Sequence, residues 1–89
     1  MLVIHYTSSY KRSFKRYVKS GKFPLEKLTK VLNILKEGKI LPDKYQDHQL
    51  KGKLLEFREC HIALNILLIY KIEDNYLKLN NLGSHSDLF

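Results

Sequence analysis

Three of the four histidines lie in the second half of the chain, at positions that a folded β-sheet could bring together. They are His48, His61 and His85. Imidazole gains or loses a proton near neutral pH, so histidine is the most frequent general acid or base in enzymes. A lone histidine is more often a surface or core residue than a catalyst. A catalytic role therefore depends on whether the fold gathers these three side chains.

The segment FRECHI, residues 57–62, supplies a carboxylate beside one of these histidines. Its alternation predicts a β-strand in which Glu59 and His61 share one face, while Arg58 and Cys60 share the other. Glu59 should favour the protonated form of His61, which a general acid requires. The alternative is a surface pair that only stabilises the sheet. Cys60 is interpreted as a core residue on the helix side of the sheet, not as a nucleophile.

The sequence lacks the motifs of several other chemistries. The histidine spacings match no compact metal-ligand motif, and Cys60 is predicted to point away from His61. There is no glycine-rich phosphate loop, no GxSxG and no HExxH sequence. We therefore expect neither a metal nor another cofactor.

Positive charge accompanies the histidines. The formal net charge is +7, and Lys51, Lys53 and Arg58 follow His48 closely. Metal-free RNA cleavage needs such a set: a base takes the proton of a 2′-hydroxyl, cations stabilise the phosphate, and an acid protonates the leaving 5′-oxygen. Residues 11–22 also carry six basic and no acidic side chains, which indicates either a solvated helix face or a surface for an anionic partner.

The elements that must position these residues begin with a strand and two helices. Residues 1–6 alternate as a strand does, and Ser8 or Ser9 is a natural N-cap for the first helix. Gly21 and Gly38 are expected to end the two helices. The apolar positions of the helices are Tyr10, Phe14, Tyr17 and Val18, then Leu25, Leu28, Val31, Leu32 and Leu35 after Pro24.

The rest of the chain reads as a loop followed by strands. Residues 40–49 have no sustained period and are predicted to be a loop that delivers His48. Short alternating or apolar stretches follow, including LKGKL at residues 50–54, and EDN at 73–75 is a predicted hairpin turn. The uninterrupted apolar run 66–69 predicts a central strand. The fold class is α+β: βαα followed by three to four antiparallel strands, with a helical hairpin on one sheet face.

Length and composition predict one domain, residues 1–89, in a reducing compartment. Cys60 is the only cysteine, so no intramolecular disulfide can form. No apolar run approaches the roughly 20 residues that span a bilayer, and the first residues do not read as a signal peptide. We expect a cytoplasmic protein without a membrane segment.

Four stretches resemble one known family. QDHQLKG (46–52), FRECH (57–61), LLIYKI (67–72) and LGSHSDLF (82–89) follow a basic helical hairpin in the order and spacing of the YafQ branch of the RelE-type bacterial toxins. The resemblance implies the βαα-plus-sheet fold already predicted. It also implies a small endoribonuclease, encoded beside a cognate antitoxin, that cuts mRNA without a metal, typically in the ribosomal A site.

The resemblance also assigns roles to residues. It implies that His48 and His61 are the acid and base, that Asp47 and Glu59 support them, and that His85 is a third active-site histidine. Phe89 would contact the substrate base. Asn65, Asn80 and Asn81 stand where the family usually has charged side chains.

Two functional hypotheses follow. The first is a toxin that cleaves mRNA to a 2′,3′-cyclic phosphate end. The second is a non-catalytic binder on the RelE/ParE fold, which poisons a target such as a topoisomerase, holds an antitoxin or binds RNA. For the catalytic hypothesis, residues 84–89 should fold back over the open face of the sheet and bring His85 toward His48 and His61. Alternatively, Leu88 and Phe89 only plug the sheet edge.

Overall fold

A five-stranded sheet carries the predicted site. The computed structural model describes all 89 residues, and its strands are β1 (Val3–Tyr6), β2 (His48–Gln49), β3 (Arg58–Ala63), β4 (Ile66–Glu73) and β5 (Tyr76–Gly83). Their order across the sheet is β1-β5-β4-β3-β2. Strand β1 is parallel to β5, and the other neighbouring pairs are antiparallel. The predicted α+β fold is confirmed.

Two long helices and one short helix accompany the sheet: α1 (Ser8–Lys19), α2 (Leu25–Lys36) and α3 (His85–Leu88). The N-cap of α1 is Thr7, whose side chain accepts a hydrogen bond from the amide of Tyr10. The Thr7 hydroxyl also donates to main-chain carbonyls of β5. The prediction of Ser8 or Ser9 as the N-cap was therefore wrong. The helix begins after Thr7, because the hydrogen bonds of Thr7 to β5 fix this residue at the start of α1. Gly21 and Gly38 follow the helices with positive φ, as predicted.

The core lies between the helices and one face of the sheet. Its buried side chains include Tyr10, Leu28, Val31, Cys60, Tyr70 and Leu79. Val18 and Leu25 were predicted to join it, but they are 45% and 50% exposed. Both flank the turn between the helices, where Phe23 packs against the core instead. None of the three helices has the length and hydrophobicity that a membrane-spanning helix requires.

The region after α2 differs from the predicted loop in its details. A 3₁₀ turn forms at Asp43–Tyr45, and His48 lies on strand β2, not at the end of a loop. The stretch 50–54 is not a strand, because Gly52–Leu54 forms a second 3₁₀ turn. Strand β4 is central, and its residues 67–70 are buried on both faces, as predicted. The hairpin turn at residues 73–75 is also confirmed, with Asp74 at positive φ.

Candidate active site

The three histidines converge on one buried carboxylate. The Nε2 atoms of His48 and His61 each lie 3.7 Å from Oε1 of Glu59, and Nε2 of His85 lies 3.9 Å from the same oxygen. Glu59 is only 4% exposed. Its burial was not predicted, because the histidines that cover it come from three separate segments. The fold therefore brings His48, Glu59, His61 and His85 into one cluster, which we call the histidine cluster.

Strand pairing and a close turn explain this convergence. His48 on β2 lies opposite Glu59 on β3, and His61 is two residues further along the same face. The chain leaves β5 at Gly83 and turns directly into α3. A Cβ at Gly83 would lie 3.0 Å from Cβ of Asp87, so a larger residue there would require α3 to shift by a few tenths of an ångström, and glycine favours this close return. The predicted fold-back of residues 84–89 is therefore present, and the His61 and His85 rings are 6.1 Å apart.

The orientation of His48 is set by the turn that precedes it. Its Nδ1 lies 2.8 Å from the main-chain oxygen of Gln46. A carbonyl oxygen can only accept a hydrogen bond, so Nδ1 must carry the proton. In neutral His48, Nε2 is then free to accept a proton. Gln46 itself is in the left-handed conformation that ends the 3₁₀ turn.

Cys60 lies in the core, as predicted. It is fully buried on the helix side of β3, opposite to the histidine cluster. Burial raises the pKa of its thiol well above the ordinary value. A thiol that is neutral and inaccessible is not a nucleophile.

Asp47 and Arg58 interact with each other rather than with the histidine cluster. Nε of Arg58 donates to both carboxylate oxygens of Asp47 at 3.3 Å, and Nη2 donates to one of them at 3.2 Å. The hydroxyl of the buried Tyr70 donates to the same carboxylate at 2.6 Å. The hydrogen bond to Asp47 raises the pKa of the Arg58 guanidinium, while burial is the main cause of the raised pKa of Tyr70. These contacts make Asp47 an anchor beside β2.

The remaining predicted contacts to RNA lie around the edge of the cluster. Lys51 and Lys53 are exposed and form no ion pair. They lie in and beside the second 3₁₀ turn, not on a strand as predicted. The Phe89 ring is 60% exposed, and its centroid is 6.0 Å from that of His85. Its position next to the cluster favours a role beyond plugging the sheet edge.

A set of hydrogen bonds from α1 holds the segment that carries His85. The hydroxyl of Tyr17 donates to Oδ2 of Asp87 at 2.6 Å and accepts from the amide of Ser84 at 3.2 Å. Ser84 and Asp87 also form a reciprocal capping box at the start of α3. The hydrogen bond from Tyr17 is the main reason that the pKa of Asp87 lies below its usual value. These residues were not predicted to support the site, although Ser84-x-x-Asp87 has the spacing of a capping box.

Replacing Tyr17 by phenylalanine should reduce RNA cleavage several-fold with a moderate loss of stability. The ring and its packing against Phe23 remain, whereas the bonds that fix Ser84 and Asp87 are lost. Each lost hydrogen bond should lower the free energy of unfolding by about 1 kcal/mol. Single-turnover cleavage and urea unfolding measure the two effects. Tyr76→Phe is the matched control, since Tyr76 is exposed and donates no hydrogen bond within the protein. Equal activity of the two variants would contradict a role for Tyr17 in positioning His85.

Asn81 has a structural role in this chain. Its side-chain oxygen accepts hydrogen bonds from the Ser13 hydroxyl and from the amide of Leu82, both at 2.8 Å. Ser13 lies on α1, so Asn81 joins this helix to β5 near the point where α3 begins.

The sequence model of one bacterial toxin family covers almost the whole chain. The family, described as the YafQ toxin of type II toxin–antitoxin systems, matches residues 2–89. The chain belongs to the YafQ family. The resemblance stated from the sequence motifs is confirmed, and the fold is the RelE-like fold of YafQ structures.

Two YafQ proteins and another bacterial toxin resemble the chain over nearly its whole length. The mRNA interferase toxin YafQ of Escherichia coli K12 is 32% identical over 87 residues, which are 97% of this chain and 94% of that protein. A metal-bound toxin from Helicobacter pylori is 44% identical with a TM-score of 0.91, and 100% of each chain is covered. YafQ in the Escherichia coli DinJ–YafQ complex is 28% identical with a TM-score of 0.89, covering 100% of this chain and 99% of that one.

Proposed function

We propose that this YafQ-family toxin is an endoribonuclease that cleaves mRNA by metal-independent acid–base catalysis in the histidine cluster. The observation that carries the proposal is the approach of three imidazole Nε2 atoms to the buried Glu59. A protein that only binds a partner has no need for such a cluster. The relative named an mRNA interferase supports the same activity.

In this mechanism His48 is the general base, because its Nδ1 proton is held by the Gln46 carbonyl and its Nε2 can accept another. His48 removes the proton of the 2′-hydroxyl, and the 2′-oxygen forms a bond to the adjacent phosphorus. The bond from phosphorus to the 5′-oxygen breaks, and His61 donates a proton to that leaving oxygen. The products are a 2′,3′-cyclic phosphate and a 5′-hydroxyl.

Glu59 and the surrounding cations support this reaction. A buried carboxylate is stabilised by a neighbouring positive charge, so Glu59 holds a protonated imidazole in place. Lys51 and Lys53 provide positive charge for the phosphate. Arg58 holds Asp47 through Nε and Nη2 and supports the site through this contact, not as a ligand of the scissile phosphate. The exposed ring of Phe89 can stack on a splayed base.

The partners follow from the same assignment. Because Escherichia coli YafQ forms a complex with DinJ, we propose that a cognate antitoxin binds this chain through an acidic or amphipathic segment on its basic surface. The substrate is mRNA, with the ribosome presenting it. Such a target implies a cytoplasmic location.

The chemistry of the RNA ends tests this function. Purified protein is added to a ribosome-containing extract, and the ends of the mRNA fragments are mapped. We expect 5′-hydroxyl ends that a kinase labels directly, and 3′ ends blocked by a cyclic phosphate. Fragments with 5′-phosphate and 3′-hydroxyl ends would contradict the mechanism. Growth arrest without any cleavage would instead support a non-catalytic binder.

Removal of metal ions should not reduce the activity. Imidazole binds a metal ion through an unprotonated ring nitrogen. Acid–base catalysis uses the same nitrogens to accept and donate protons, so the two uses compete. In this conformation no group of three His, Cys, Asp or Glu side chains is arranged to hold a metal ion, although a Helicobacter pylori relative is metal-bound. Cleavage of a ribosome-free RNA oligonucleotide should therefore proceed equally with and without EDTA. Loss of activity in EDTA, restored by one added metal, would overturn metal independence.

A further inference from the structure

A cavity of about 460 Å³ opens beside the histidine cluster. It lies between α2, the first 3₁₀ turn and the end of β3. His61 lines its wall, together with the buried Tyr45 and the fully exposed Leu64. Its volume falls within the range of roughly 300–1,000 Å³ typical of ligand sites. His61 belongs to both places, so the cavity adjoins the histidine cluster.

Apart from His61, the charged side chains that line the cavity are all lysines. Lys27 and Lys30 lie three residues apart on one face of α2, and Lys44 comes from the 3₁₀ turn. None of the lining residues is acidic, and none of these three lysines forms an ion pair. Nζ of Lys44 is 5.2 Å from the centroid of the Tyr45 ring, which helps to hold this ammonium group in place. Three unpaired cations around a concave surface favour an anionic ligand.

The same turn connects the cavity to the proposed base. Gln46 lines the cavity, and its carbonyl accepts the hydrogen bond that orients His48. The cavity therefore touches the supports of both His48 and His61. A phosphate held at the histidine cluster would have the neighbouring nucleotides of its strand at the mouth of the cavity.

We propose that this lysine cavity binds the phosphates of the RNA next to the scissile one. The proposal rests on the proposed function, because it takes the histidine cluster as the place of cleavage. Lysines contact phosphates as flexible point charges and carry no preference for base sequence. The cavity thus supplies affinity and direction to the strand, while the chemistry stays at the histidines. RNA is favoured over an acidic protein segment because the cavity opens at His61.

Binding measurements on matched variants test this assignment. One variant carries Lys27→Gln, Lys30→Gln and Lys44→Gln. The control carries Lys11→Gln, Lys15→Gln and Lys19→Gln on the exposed face of α1, with the same change of net charge. Both are made in a His48→Ala background, which removes the proposed general base and leaves the side chains of the cavity lining unchanged. Fluorescence anisotropy then gives the affinity for a dinucleotide and for a nine-nucleotide RNA at several salt concentrations.

The protein with all its lysines should bind the nine-nucleotide RNA much more tightly than the dinucleotide. The cavity variant should lose about tenfold or more of this gain in affinity. The slope of log affinity against log salt should fall by about 0.7 for each lost phosphate contact. The α1 control should keep most of the gain. Equal losses in both variants would overturn the proposal, as would unchanged RNA affinity with a weakened antitoxin complex. This assay measures RNA binding only. Cleavage by the wild-type protein is measured in a separate experiment, so a failure of the proposed function is distinguished from a failure of this binding proposal.

Discussion

Replacement of His61 by alanine is expected to reduce RNA cleavage by a factor of at least about 10², the usual contribution of a general acid. His61 is the cluster member that lies on β3 beside Glu59, with its side chain 23% exposed. It lies on the sheet face opposite to the Cys60 core, so the fold should persist. Single-turnover cleavage of an RNA oligonucleotide measures the loss, and circular dichroism with urea unfolding checks the fold.

His5→Ala is the matched control for this experiment. His5 is an exposed histidine on β1, where it pairs with Lys78 of β5, away from Glu59. We expect this variant to cleave RNA at nearly the wild-type rate. Full activity of His61→Ala would refute the assignment of His61 as the acid. Equal losses in the two variants would show that positive charge on the sheet, and not the histidine cluster, determines the rate.

Replacement of Asp47 by alanine is expected to lower the free energy of unfolding by about 2–3 kcal/mol. The change removes the acceptor of Arg58 and leaves the hydroxyl of Tyr70, a residue only 1% exposed, without its 2.6 Å partner. An unpaired buried hydroxyl alone costs about 1–3 kcal/mol. Urea unfolding measures the change. Asp43→Ala, at an exposed aspartate in the first 3₁₀ turn, should alter stability far less.

A double-mutant cycle separates this anchoring role from a direct role in catalysis. If Asp47 acts through Tyr70, the effects of Asp47→Ala and Tyr70→Phe should be non-additive by at least about 0.5 kcal/mol. Additive effects on stability, together with a large loss of cleavage in Asp47→Ala alone, would place Asp47 in the catalytic machinery. That outcome would contradict the geometry, in which its carboxylate faces Arg58.

Local patterns were sufficient to predict most elements of the fold, although not β2 or the 3₁₀ turn at Gly52–Leu54. The period of two in FRECHI placed Cys60 in the core and Glu59 beside His61, because side chains on a strand must alternate. Gly21 and Gly38 marked the helix ends because a helix commonly stops at a residue with positive φ, which glycine adopts most readily. The N-cap was misjudged for a tertiary reason, since Thr7 is selected by its bonds to β5.

The details of the site depend on contacts that no local pattern contains. Alternation alone put Arg58 on the face away from His61, but its pairing with Asp47 also requires the register of β2 against β3. The hydrogen bond between Tyr17 and Asp87 joins residues 70 positions apart. The burial of Glu59 likewise results from the meeting of three segments. The resemblance to the YafQ family predicted the histidines as a set, but their distances required the structure.

An RNA whose leaving 5′-oxygen is replaced by sulfur tests most directly whether the histidine cluster performs acid–base catalysis. A thiolate is a much weaker base than an alkoxide, so its departure needs no proton from an acid. His61→Ala should therefore cleave this substrate at close to the wild-type rate, whereas His48→Ala, which lacks the proposed base, should remain inactive. Failure of the sulfur substitution to restore the His61 variant, or equal restoration of both variants, would contradict the proposed mechanism.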